Sequence, residues 1–271
     1  MRADEVTSAL SSFSGIVSAL RAAGCVFAED EARLLVAEAP GAAALTEWVG
    51  RRISGIPLEF ILGWADFCGH RIDLEPGVFV PRRRTELLVH QAVTLLQDMP
   101  HAVPSIVVDL CCGSGAVGAA VARQHSGIQL HAADIDAAAV KCARRNVGEV
   151  GGHVYQGDLF AALPPALRGR VQVLAVNAPY VPTEAIRTMP PEARLHESHA
   201  ALDGGVDGLD FHRRVAAEAP GWLSPGGHLL VETSRQQAGA TAALMAAAGL
   251  ATLTARSEEL DGTVVVGSPL P

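Results

Sequence analysis

The hydrophobic rhythm of the chain changes near residue 104. Before it, apolar positions recur three and four residues apart. "VTSALSSFSGIVSALRAAG" (6–24) ends on Gly24, a glycine suited to a helix C-cap. "AEDEARLLVAEA" (28–39) opens on acids, as the positive end of a helix dipole favours. "ALTEWVGRRISG" (44–55) repeats the spacing, so residues 1 to about 62 are predicted to be helical. Residues 66–80, "DFCGHRIDLEPGVFV", alternate in short runs split by Glu75-Pro76-Gly77, which predicts a hairpin or an extended linker. From residue 104 onward, short apolar runs take turns with helical patterns. Strands are predicted at 105–110, 128–134, 153–158, 171–176 and 226–233, and helices at 116–125, 136–150, 210–223 and 236–249. Residues 250–260 and 262–268 read as a closing hairpin. Such alternation predicts an α/β fold with a mostly parallel sheet covered on both faces. Ligands of such sheets bind at the carboxyl ends of the strands, near the point where strand order reverses.

At 271 residues the chain suits one α/β domain of roughly 200 residues and a small extra one. Hydrophobic residues make up 49% and mean hydropathy is +0.25, which marks a folded chain. A net charge of −8 argues against coating nucleic acid, and stable DNA binding is not expected. The five cysteines are odd in number and match no zinc spacing. An adjacent Cys111-Cys112 disulfide would be strained, so all five read as reduced thiols in a cytoplasmic protein. Acids near the N-terminus exclude a signal peptide, and no apolar run reaches the roughly 18 residues of a membrane span. His196, Glu197 and His199 read as a polar loop, and no metal is expected.

"VVDLCCGSGAVG" places Gly113, Gly115 and Gly118 between a strand and a helix, a loop that brings backbone close to a ligand. Asp109 precedes the glycines. Its carboxylate would repel a pyrophosphate and attract a cation, which favours S-adenosylmethionine over a dinucleotide. Asp134, about 20 residues on, is placed for ribose hydroxyls. Asp136 is the better helix N-cap. Asp158 is placed for an adenine amine, with Leu159 over the ring. Cys111 and Cys112 read as packing residues.

"VNAPYVPT" (176–183) ends a predicted strand on a primary amide. Asn177 offers an acceptor and two donors in one plane, the inventory that holds a planar substrate NH₂. Pro179 stiffens the turn and Tyr180 adds a flat face. A weakly nucleophilic nitrogen aligned in a dry site needs positioning more than a strong base.

These stretches together resemble the HemK/PrmC family of protein-glutamine methyltransferases. "GIPLEFILGWADFCGHRIDLEPGVFVPRRRTELLV" is similar to the family's linker and its Pro-Arg-x-x-Thr-Glu signature. "VVDLCCGSGAVGAAVA" resembles its cofactor loop, and "LDGGVDGLDFHRRV" with "LSPGGHLLVET" its later signature. The resemblance implies a class I, Rossmann-like, seven-stranded methyltransferase domain over 86–271. It also implies a hairpin linker over 66–85 and a helical N-terminal domain over 1–65, a candidate for substrate recognition. It assigns cofactor contacts to Asp109, Gly113, Gly115, Asp134 and Asp158, and amide contacts to Asn177, Pro179 and Tyr180. Phe79, Pro81, Arg82 and Thr85 fall where the family's linker closes over the cofactor. The implied acceptor is a glutamine side-chain amide of a protein, such as a translation release factor. An adenine amine in nucleic acid, a small metabolite and a noncatalytic cofactor-binding role are the alternatives.

Three departures bear on the acceptor. The family's Asn-Pro-Pro-Tyr is Asn-Ala-Pro-Tyr here, and its Glu-Ile-Gly is Glu-Thr-Ser. Its Pro-Arg-Pro-Glu-Thr-Glu reads Pro-Arg-Arg-Arg-Thr-Glu, so Arg83 and Arg84 are expected at the substrate rim, facing a negatively charged partner. Such changes fit a paralogue with a divergent acceptor.

Overall fold

The computed structural model describes residues 12–99 and 104–270. The start of the helix read from residue 6 lies outside these. Its remainder is α1 (Phe13–Ala22), capped by the Ser12 hydroxyl, which accepts from the Gly15 N–H. Helices α2 (Ala28–Glu38), α3 (Ala42–Ile53) and α4 (Leu58–Leu62) follow. Their apolar stripes close on a core of their own, built on Ile16, Leu20, Leu35, Val49 and Ile61.

Strands β1 (Trp64–Phe67) and β2 (His70–Asp73) form an antiparallel hairpin that starts at Trp64, ahead of the expected linker boundary. Its turn is Cys68-Gly69, and both residues have positive φ. The break expected at Glu75–Gly77 lies in the segment after β2 instead. A two-residue turn matched to strand twist needs left-handed residues. A cysteine in that role carries no turn signal in the sequence.

The large sheet runs β5-β4-β3-β6-β7-β9-β8. Its members are β3 (Ser105–Leu110), β4 (Ile128–Asp134), β5 (His153–Gln156), β6 (Val171–Val176), β7 (Leu223–Glu232), β8 (Leu250–Ser257) and β9 (Gly262–Pro269). Neighbours from β5 to β7 are parallel, and β9 runs antiparallel to both β7 and β8. The chain steps outward from β3 to β5, then returns to lay β6 on the other side of β3. Strand order therefore reverses between β3 and β6, whose ends stand in register, Asp109 opposite Ala175 and Leu110 opposite Val176. A ligand crevice opens at that reversal. The alternation along β3 feeds two cores: Val107 packs on one face, Ile106, Val108 and Leu110 on the other.

Helices α5 (Glu86–Gln97), α6 (Ala116–Gln124), α7 (Ala137–Gly148), α8 (Pro191–His196), α9 (Asp210–Glu218) and α10 (Ala238–Ala247) complete the fold. The helix expected over 210–223 stops at Glu218. Pro220 has no N–H to continue the ladder, so Ala219–Gly221 tightens into a 3₁₀ turn and Leu223 joins β7.

Asn146, on α7, is 3% exposed and joins three elements. Its Oδ1 accepts from the Asp73 N–H at 2.8 Å. Its Nδ2 donates to the Asp73 carbonyl at 2.9 Å and to the Ser114 carbonyl at 2.8 Å. One amide thus holds the end of the hairpin and the glycine loop to α7. Asn146→Ala would strand those buried groups, each at a cost of about 1–3 kcal/mol. Chemical denaturation should show a loss of roughly 2–4 kcal/mol, with weaker ligand binding at the glycine loop. Unchanged stability would refute the weld.

Candidate active site

A cavity of about 580 Å³ opens at the carboxyl ends of β3, β4 and β6. Phe79, Pro81, Arg84, Asp109, Gly113, Asp134, Asp158, Leu159, Asn177, Pro179 and Tyr180 all line it. Gly115 and Arg83 do not. Gly115 caps α6, and its N–H donates to the Cys112 carbonyl at 2.7 Å.

At one end, the buried Asp109 and the half-buried Asp134 lie under the glycine loop. Asp109 is 2% exposed, and its Oδ2 accepts from the Gly118 N–H at 2.8 Å. That bond needs α6 tight against β3. A Cβ on Gly118 would meet Leu130 Cδ1 at 2.9 Å and Asp109 Cβ at 3.2 Å. Asp134 accepts from the Gly113 N–H at 2.8 Å and from the Asp136 N–H at 2.9 Å. Asp136 itself caps α7 through the N–H groups of Ala138 and Ala139, as expected. Burial pushes Asp109 up to about 7, with the Asp134 charge adding to it and the Gly118 N–H opposing. Burial also raises Asp134. Among the described residues, neither has a cationic side chain within ion-pair reach.

Asp158 lines the cavity and has a partner that the sequence did not announce. Its Oδ2 is ion-paired to Arg214 Nη2 of α9 at 2.6 Å, which leaves Oδ1 for a ligand. Nothing in the sequence marks Arg214, because a helix face that turns toward a distant loop has no local pattern. Leu159 is buried at positive φ, with its side chain toward the cavity wall. Cys111, also at positive φ, lines the cavity beside the buried Cys112. Burial, then the nearby aspartates, raise both thiols well above their ordinary range.

At the other end, Asn177 Nδ2 donates to Thr85 Oγ1 at 3.4 Å. Its Oδ1 and second N–H remain for an acceptor. The Tyr180 hydroxyl lies 3.1 Å from Arg84 Nε and 3.4 Å from Glu232 Oε1. Burial first, then Glu232, push that phenol up to about 12, so it stays neutral at ordinary pH and is no base. Glu232 ends β7 at 1% exposure, and its Oε2 has no hydrogen-bond partner. Burial raises its carboxyl against the pull of Thr85, Arg84 and Tyr180. The turn after Asn177 is held from behind. Gln237 Nε2 donates to the Tyr180 carbonyl at 2.9 Å. A Cβ on Gly208, at φ +74°, would collide with that carbonyl and with Gln237. The later glycine signature is therefore a close-packing requirement of the Asn-Ala-Pro-Tyr turn.

The arginine run does not form the expected rim cluster. Arg82 pairs with the buried Glu197 and lies 5.1 Å from the Phe79 ring. Glu197 thus faces an arginine and not the neighbouring histidines. Arg83 is exposed and pairs with Glu259 at 3.4 Å. Arg84 turns to Tyr180 and Glu232. Arg82 is extended and Arg83–Thr85 form a 3₁₀ turn, so consecutive side chains point apart and each finds its own carboxylate. One of these pairs helps to roof the cavity. Arg82–Glu197 ties the linker to the segment around α8, and Ser198 donates to the Gly77 carbonyl at 3.2 Å. From α3, the buried Arg52 reaches Glu192 at 2.7 Å and Glu31 at 2.5 Å.

One buried carboxylate, Asp109, and one half-buried, Asp134, without a counter-charge beside a backbone cradle suit a cationic ligand such as a sulfonium. Asp109, Gly113 and Asp134 would hold it, with Leu159 at the cavity wall, and bound S-adenosylmethionine supplies an electrophilic methyl group. The sign of the pH effect follows. Below about pH 7 the empty site keeps a proton on Asp109 that an unfolded carboxylate, at 3.8, has already released. Asp109 therefore favours the folded state at low pH, and that contribution is lost as pH rises through 7. A cation must displace the proton, so affinity for S-adenosylmethionine should rise between pH 6 and 8. Asp109→Asn should weaken binding by about 10–100-fold at pH 8 and reduce the slope. It would not abolish the slope, because Asp134 shifts the same way. Calorimetry in two buffers checks this. An equal slope in wild type and variant would overturn the role of Asp109.

The methyltransferase small domain family model matches residues 71–208. A release factor glutamine methyltransferase of Geobacter sulfurreducens is 39% identical over 198 residues, covering 72% of this chain and 67% of that protein. A 4-amino-L-phenylalanine/4-methylamino-L-phenylalanine methyltransferase of Streptomyces pristinaespiralis is 37% identical over 204 residues, covering 74% of this chain and 69% of that one. Among solved structures, the T. thermophilus 16S rRNA N2 G1207 methyltransferase, in complex with AdoMet and guanosine, shares the fold. Its TM-score is 0.52 at 19% identity, covering 76% of this chain and 50% of that one. No helix among the described residues is long and apolar enough to cross a membrane. With its cofactor loop and Asn-Ala-Pro-Tyr turn on one cavity, the chain belongs to the release factor glutamine methyltransferase family and is an S-adenosylmethionine-dependent methyltransferase.

Proposed function

We propose that the chain methylates a planar nitrogen held by Asn177, and that this nitrogen is the side-chain amide of a glutamine in a protein acceptor of the release-factor kind. The observation that carries this is the free half of the Asn177 amide. One N–H is given to Thr85, which fixes the plane, and Oδ1 and the other N–H have no hydrogen-bond partner among the described residues in a side chain that lines the same cavity as Asp109 and Asp134. Oδ1 accepts one hydrogen of the acceptor NH₂, the N–H donates to its carbonyl, and the nitrogen lone pair is left free for the methyl group. Pro179 stiffens the turn and Tyr180 gives it a neutral aromatic wall. The neutral phenol leaves positioning and charge stabilisation to do the catalysis. The proton is lost to solvent after transfer. The family of the chain supports the acceptor, and its five free cysteines suit the cytoplasm, where such an acceptor resides.

A second reading has its own support. The Streptomyces relative is named for an aryl amine on a free amino acid, also a planar nitrogen. Arg84 lines the acceptor end of the cavity where the family signature carries an acid.

Purified chain, S-adenosylmethionine and a bacterial release factor, read by peptide mass spectrometry, test the main reading. One added methyl on the glutamine is expected, and none if that glutamine is replaced. Asn177→Ala should keep cofactor affinity within about threefold and lose on the order of 10²–10³ in kcat. Bound cofactor with an unmodified release factor would overturn the protein acceptor, and full turnover by Asn177→Ala would overturn the role of the amide.

A further inference from the structure

Arg84 lines the acceptor end of the cavity with a guanidinium. Its polar contacts run through one atom. Nε reaches the Tyr180 hydroxyl at 3.1 Å and Glu232 Oε1 at 3.5 Å. Neither Nη group has a partner among the described residues, while the side chain keeps 44% of its exposure. Its two neighbours in the run are different: Arg82 is closed off by Glu197, and Arg83 lies outside the cavity against Glu259. Arg84 is therefore oriented from behind by a buried carboxylate and a phenol, with its fork left over. A guanidinium so held is preorganised for a planar, two-oxygen anion. It sits next in sequence to Thr85, which binds Asn177. The anion it reads thus belongs to the molecule whose nitrogen Asn177 holds.

We infer that Arg84 recognises a carboxylate carried by the methyl acceptor, close to the nitrogen that is methylated. This rests on the methyltransferase reading above and narrows it to an acidic acceptor. Two sources carry that chemistry. One is the α-carboxylate of a free amino acid with a terminal amine or amide. The other is an acidic side chain beside a glutamine in a protein. Glu232 holds Arg84 in place as a positioning residue. Its own charge is directed at Nε, so the Nη fork keeps its pull on a ligand.

The test pairs acceptors that differ only in the anion. The first arm uses 4-amino-L-phenylalanine and its carboxamide. The second uses a glutamine peptide with a flanking aspartate and the same peptide with asparagine there. Methyl transfer is measured for wild type, Arg84→Gln, Arg84→Lys and Arg84→Glu, the last restoring the acid of the family signature. In at least one arm, wild type should prefer the carboxylate form by about 10–100-fold in kcat/KM, mostly through KM. The arm in which this happens names the source. Arg84→Gln should bring the preference below about threefold, Arg84→Glu should invert it, and Arg84→Lys should keep part of it, since the charge stays and the fork is lost. Cofactor binding is titrated on the same preparations. Loss of the methyltransferase reading appears as no bound S-adenosylmethionine. Loss of this inference appears as bound cofactor with no transfer to either carboxylate acceptor, with equal use of both forms, or with a preference that survives in Arg84→Gln and Arg84→Glu.

Discussion

A carboxylate buried at the end of the central strand governs how this protein is put together. Asp109 gains one backbone hydrogen bond, from Gly118, and otherwise bears the desolvation of its charge. To give even that bond, α6 must approach β3 so closely that a Cβ at position 118 would press on Leu130 and on Asp109 itself. Approach of the helix sets the glycine loop, and the loop offers its Gly113 N–H to Asp134. Asp109 thus carries a desolvation cost that a bound cation would relieve. Binding energy and local instability have the same origin, as is common where function sets the residue.

The acceptor end is organised differently, by neutral and paired groups in series. Gln237 and Gly208 hold the backbone of Tyr180 from behind, its hydroxyl lies against Arg84 and Glu232, and Thr85 fixes the amide of Asn177. Segments distant in sequence therefore meet around one turn. The helical N-terminal part enters through Arg52, whose bond to Glu192 ties it to the roof of the same cavity.

Much of this was legible in the sequence, and the rest was hidden for identifiable reasons. The short apolar runs of β3 and β6 and the glycine spacing placed Asp109, Gly113, Asp134 and Asn177 on one crevice, because strand ends at a reversal of order must share it. The hairpin turn was misplaced because Cys68 took a left-handed role that asparagine or glycine normally fills. Arg214, Glu232 and Gln237 were missed as site residues because only tertiary packing brings them there. The arginine run divides for a related reason. Adjacency along the chain suggested one positive patch, and the backbone sent the three side chains to three carboxylates.

The cavity also contains a hazard that its electrostatics remove. A sulfonium methyl is open to attack by any good nucleophile within reach, and thiolates are among the best. Cys111 lines this cavity with Cys112 beside it, yet burial and the surrounding aspartates keep both sulfurs protonated. Burial does most of this, and the aspartates that draw a cation in add to it. The enzyme is in this way chemoselective against itself: it can surround an alkylating agent with sulfur and not become the alkylated product.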